Sequence, residues 1–136
     1  MPARSRARKR ALDVLFEAEL RGLPVLDLLA ERAAAADPPV PDYAAVLVRS
    51  VHEHAAQIDE LLATYSEGWT LDRMPAVDRN ILRIGAYELL WRDEVPDAVA
   101  ISEAVVLAGE LSTDDSPGFV NGLLGQLLRV RPTLAL

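Results

Sequence analysis

The chain has 136 residues, 51% of them hydrophobic and 5% aromatic, with 14 Lys and Arg against 21 Asp and Glu for a formal net charge of −7. That length supports one domain around a single core and is short for a two-domain enzyme. The absence of cysteine excludes disulfides, thiolate zinc sites and thiol catalysis, and the lack of a long apolar window or a signal pattern predicts a soluble, cytoplasmic protein.

The acidic total hides a basic start. Residues 1–10 hold Arg4, Arg6, Arg8, Lys9 and Arg10 and no acid. A polyanion can dock on such a segment while the acidic remainder repels a broad duplex footprint, so a single strand fits better than a wrapped duplex. A frayed, solvated terminus explains the same charges without a ligand.

A first helix is predicted from about Ala3 to Arg21, stopped by Gly22; a second opens near Pro24 and fades before Asp37-Pro38-Pro39. After Pro41 a longer helical stretch, with room for one break, carries Val46, Leu47, Val51, Ile58, Leu61 and Leu62 to Tyr65. His52 and His54 stand two apart, on different faces of that helix, and read as ordinary helix residues and not as a shared metal site. Residues 66–75 read as a loop.

The segment AVDRNILRIGAYELLWR places Val77, Ile81, Leu82, Ile84, Gly85 and Leu89 on one arc and Arg79, Asn80, Arg83 and Tyr87 on the other. A central helix with one polar face is therefore predicted. Glu88 falls inside the apolar arc, where an unpaired carboxylate is costly, and reads as a structural residue with a partner. Beyond Pro96, Ile101, Ala104, Val105, Ala108 and Leu111 mark a further helix. Val120, Leu123, Leu124, Leu127 and Leu128 mark the last, with Gly122 and Gly125 off its stripe, where another backbone can approach. Six or seven helices in a compact, all-α bundle follow.

Catalysis finds little footing: no glycine-rich phosphate loop, nucleophile elbow or His-Glu-x-x-His helix is present. Asp114 and Asp115 read as charges favoured at a helix start, with Ser116 as N-cap and Pro117 as first helical residue. Phe119 falls at the rim of the last apolar stripe. It is either core or a stacking platform; beside the arginines of the first helix it would suit single-stranded nucleic acid, and periodicity leaves both readings open.

Three blocks, RSRARKRALDVLFEAEL at 4–20, VDRNILRIGAYELL at 77–90 and VAISEAVVLAGELSTDDSPGFVNGLLGQLL at 99–128, together resemble the transcription antitermination family NusB, the third most specifically. The resemblance implies one NusB-type RNA-binding domain over residues 1–136, built as two packed helical bundles of about seven helices. It also implies a non-enzymatic role, without metal or cofactor, in processive transcription of ribosomal RNA operons. The family binds single-stranded boxA RNA together with NusE, a small-subunit ribosomal protein, in an assembly with RNA polymerase and other Nus factors. Carried over, the RNA-facing positions are Arg4, Arg6, Arg8, Arg10, Phe16, Asp115, Ser116, Phe119 and Asn121; the NusE-facing ones are Asp78, Arg79, Arg83 and Tyr87. Two positions depart from the family pattern: Gly125-Gln126 stands where Asp-Lys is common, and Phe16 where tyrosine is common. The alternatives are a helical scaffold or homodimer without RNA readout, and the accessory domain of an RNA methyltransferase, for which 136 residues leave no methyl-donor segment.

Overall fold

A computed structural model describes residues 2–136. Among them are seven α-helices: α1 (Ala3–Arg21), α2 (Val25–Ala35), α3 (Asp42–Glu53), α4 (Ala55–Tyr65), α5 (Ala76–Trp91), α6 (Asp97–Leu111) and α7 (Ser116–Val130). Single 3-10 turns lie at Leu71–Arg73 and Arg131–Thr133, and no strand occurs among the described residues. The all-α expectation and the helix count both hold. The chain forms two compact units, one ending at Glu53 and one spanning His54–Leu136.

In the first unit α1, α2 and α3 pack pairwise, α1 against α3 most extensively. Gly22 ends α1 in the left-handed region at φ 64°, and the Leu23 N–H returns to the Ala18 carbonyl at 2.9 Å, a Schellman-type stop that glycine adopts without strain. Buried Ala7, Ala11 and Ala18 make a slim face on α1, at helical spacing. Glu17 ties α1 to α2: the Arg32 guanidinium donates to both carboxylate oxygens, and Arg21 donates to Oε2 at 2.5 Å. These bonds, Arg32's foremost, hold the Glu17 carboxyl below its ordinary pKa.

The helical stretch expected after Pro41 does break once, at His54 (φ −99°, ψ 10°), which gives α3 to the first unit and α4 to the second. His54 is thus a break residue, its ring 4.5 Å from Trp91 and 5.6 Å from Tyr87.

The second unit is organised around α5, which contacts α4, α6 and α7. Eleven of its 16 residues are buried, Asn80, Tyr87 and Glu88 among them, so the predicted polar face is not a solvent face. Its polar groups bond inward. Arg79 Nη1 donates to the carbonyls of Leu71 at 2.5 Å and Met74 at 3.0 Å, and the Asn80 amide donates to Ala76 O at 2.9 Å. Arg83 clamps both oxygens of Asp59 on α4, at 2.9 and 3.0 Å. Carbonyls and a carboxylate, in place of water, satisfy this side of the helix.

On the opposite side, a Cβ added to Gly85 would lie 2.7 Å from Leu124 Cδ1, so the absence of a side chain there lets α5 and α7 close. Gly122 and Gly125, in contrast, have no second backbone against them. At the far end of α7, Arg131 donates to both oxygens of Asp97, at 2.8 and 3.0 Å, and to Leu89 O at 3.1 Å.

Candidate nucleic-acid interface

The four arginines in the first half of α1 do not share one role. Spacing of four residues puts Arg4 and Arg8 on one side of the helix, where their guanidinium carbons lie 4.1 and 5.9 Å from the centre of the Tyr43 ring on α3, in cation–π reach. Arg4 stays exposed, whereas Arg8 is 3% exposed and belongs to the interior of its unit. Arg6 is exposed; Arg10 is half-buried, reaching Pro38 O at 3.4 Å and Asp13 at 3.9 Å. Arg8 is therefore an interior residue of its unit, less well placed for a direct phosphate contact than exposed Arg4 and Arg6. Phe16 is half-buried further along α1.

In the second unit the start of α7 is held from below. Asp78 of α5, 3% exposed, accepts hydrogen bonds from Ser112 Oγ at 2.5 Å and Ser116 Oγ at 2.8 Å, and Ser116 Oγ also accepts the Thr113 N–H at 3.2 Å. Ser116 is accordingly the first residue of α7 and not its N-cap; Asp115 occupies that position without a side-chain cap. Burial likewise makes Asp78, Ser116 and Tyr87 chiefly supports of the surface, their side chains being 3%, 1% and 5% exposed. Asp114 and Asp115 are exposed.

Phe119 is half-buried and faces a ring that the sequence reading passed over. Trp69, 51% exposed, stands 6.1 Å away centre to centre at a tilt of 53°, an offset aromatic pair. The turn that delivers Trp69 is built from Ser66 to Trp69: Glu67 and Gly68 take φ 44° and 88°, and the Trp69 N–H closes on Ser66 O at 3.4 Å. Two successive positive φ values are the mark of a primed turn, in which glycine is the natural second residue. Buried Ser66 donates to the carbonyls of Ala63 and Trp69. The available signal was local: Glu67-Gly68 directly before an aromatic, inside a stretch with no apolar period.

Two grooves flank this aromatic pair. One, of about 270 Å³, is lined by Trp69, Met74, Asp78, Asp115, Ser116 and Phe119, which brings three of the expected RNA-facing positions together. The other, of about 430 Å³, runs along Tyr65, Trp69, Gly118, Phe119, Gln126 and Arg129. Asn121 is not with them; it lines a separate apolar groove with Ile101, Val105 and Leu128 between α6 and α7.

Grooves, an aromatic ridge and an exposed cationic helix start define an all-α protein built around binding surfaces, and no group of three metal-binding side chains occurs among the described residues. The chain belongs to the NusB family, whose pattern it matches over residues 5–129. It is 58% identical to the transcription antitermination protein NusB of Thermobifida fusca across 98% of this chain and 94% of that one. It is 60% identical to that of Nocardioides sp. across 99% and 100%. Among solved structures, NusB of T. maritima superposes with a TM-score of 0.81 at 32% identity, covering 95% of this chain and 92% of that one. A chain from the complex of antitermination factors NusB and NusE with double-stranded RNA matches with a TM-score of 0.81 at 28% identity, over 95% and 99%.

Proposed function

We infer that this protein is a non-catalytic, cytoplasmic antitermination factor that binds boxA-type single-stranded RNA of ribosomal RNA operon transcripts together with NusE, and joins them to RNA polymerase and other Nus factors. The observation that carries the reading is that a family member solved with NusE and double-stranded RNA shares this fold nearly end to end; the preference for a single strand rests on the charge pattern of this chain. The site supports it. Arg4 and Arg6 offer charge to phosphates, Arg10 contributes from a half-buried position, and Phe119 offers a ring face for a base, the pair of devices that single strands require. Asp115 and the exposed backbone of the turn before α7 would read polar edges, with Phe16 and Asn121 as outlying contacts. Toward NusE, Arg79 and Arg83 are the half-buried members of the α5 set, with Asp78 and Tyr87 acting from beneath.

The test is binding of labelled boxA RNA, a scrambled strand and a duplex, with and without NusE, over a salt series. For a variant with Arg4→Ala and Arg6→Ala, the slope of log affinity against log salt should shrink by about 0.7 per lost phosphate contact. Phe119→Ala should cost about 1–3 kcal/mol with the slope unchanged. Equal affinity for boxA and scrambled strands under every condition would remove the RNA-reading function.

A second reading, a protein-interaction scaffold or homodimer, is favoured by one feature: Val106 of α6, 50% exposed, lines the apolar α6–α7 groove, and Val99 on the same helix is 38% exposed. Sedimentation of the free protein, with Val106→Glu as the control, decides whether that face self-associates.

A further inference from the structure

We propose that the 430 Å³ groove along α7 is a nucleotide subsite in which a base of the bound single strand stacks on Trp69, over a floor of Gly118 and Gly122, with its phosphate at Arg129. The inference deepens the RNA reading and rests on it. Trp69 keeps 51% of its surface exposed although Phe119 stands only 6.1 Å away, so an indole face is left without protein cover at the groove. An apolar surface of that size held out by a fixed turn is the device that single-strand binders use for stacking.

Gly118, Gly122 and Gln126 are spaced by four residues and form one row on α7, and a Cβ added at either glycine would meet nothing within 4 Å. The row is open space, wide enough to admit a flat ring. At its end Gln126 Oε1 accepts from Arg129 Nε at 3.1 Å and Nη2 at 2.6 Å. That pair orients an exposed guanidinium, whose other N–H groups suit phosphate oxygens, and it does not use the Gln126 amide N–H groups, which can donate to a base edge. Glu67, also on the lining, repels phosphate and accepts from base amino groups, so phosphate belongs at the Arg129 end.

The experiment uses the full chain and a fluorescein-labelled single-stranded boxA RNA, read by anisotropy, with NusE present and absent. Gly122→Leu adds a good helix former at an open position, so thermal stability should hold or rise while RNA affinity falls at least tenfold because the floor is filled. Trp69→Ala should weaken binding by roughly five- to a hundredfold, the range expected for one stacked base, and Trp69→Phe should recover most of it. In a Trp91→Phe background, RNA should quench the fluorescence of Trp69. Wild-type binding that survives both Gly122→Leu and Trp69→Ala, with no quenching, overturns the subsite and leaves the RNA function standing. Loss of NusE binding alone in those variants overturns it too, assigning the groove to protein. Failure of the wild type to bind RNA under any condition removes both.

Discussion

The unit ending at Glu53 carries eight basic and eight acidic side chains, the His54–Leu136 unit six and thirteen, and the two deploy their arginines differently. In the first unit, Arg4 and Arg6 stand exposed at the start of α1. Most of the others bond within their own unit: Arg21 and Arg32 to Glu17 in the first, Arg79, Arg83 and Arg131 to carbonyls and carboxylates in the second. On the proposed reading, the net negative second unit would offer RNA mainly rings, glycines and Arg129. The difference teaches that attraction and recognition are separable here. On the proposed reading, long-range charge would come from the first unit and short-range stacking, which needs no favourable field, from the second.

The largest effects should come from the cores. Leu47 and Leu124 are fully buried, one in each unit, and Leu47→Ala and Leu124→Ala should each cost about 2–5 kcal/mol in urea unfolding. A small loss at Leu124 would mean that the closure of α7 over Gly85 is loose. Next comes Asp78→Ala, which leaves the Ser112 and Ser116 hydroxyls without their acceptor. A loss of about 1.5–3 kcal/mol is expected, together with weaker RNA binding, because the start of α7 carries one wall of the groove. An unaltered RNA affinity in that variant would detach the support from the site. Smaller again is Arg8→Gln: loss of its place beside Tyr43 should lower stability by about 1 kcal/mol and change the salt slope of RNA binding less than Arg6→Gln does. The reverse ranking would return Arg8 to the phosphate-facing set.

Much of this fold could be read from residues. Gly22 after a basic last turn, Pro24 and Pro96 before helices, and the apolar spacing of α6 and α7 located the elements, because local chemistry decides where a helix stops. The face of α5 could not be read that way. Arg79, Asn80, Arg83 and Tyr87 share a side by periodicity, but whether water or protein covers that side depends on where α4 and the loop at 66–75 lie, and this is a tertiary fact. The same loop hid Trp69. A primed turn leaves no period, and the partner that gives the indole meaning, Phe119, lies fifty residues away along the chain. Arg8 and Arg6 differ only by a two-residue step on α1, and which of them the rest of the unit covers is again a tertiary fact.

The smallest expected effect separates the units by acid. Asp97 is held below its ordinary pKa by the hydrogen bonds from Arg131, and Asp72 lies in the same direction through the Thr70 hydroxyl. A depressed carboxyl binds fewer protons in the folded state, so its stabilisation is complete above the unfolded value near about 4 and is lost as pH falls through the folded one. Glu17 in the first unit acts likewise, but Asp13 opposes it weakly: partial desolvation raises its carboxyl despite Arg10 and Lys9, although its side chain stays 56% exposed, so its ionisation costs a little stability as pH rises. Asp97→Asn should therefore lower the urea midpoint at pH 7, and the difference from wild type should shrink steadily as pH falls below about 4. Glu17→Gln should do the same at neutral pH and, by removing a neighbouring negative charge, should also ease the Asp13 carboxyl back toward its ordinary value. Parallel midpoint curves for the two variants between pH 2 and 7 would show that Glu17 and Asp13 are not coupled, and that the units answer acid alike.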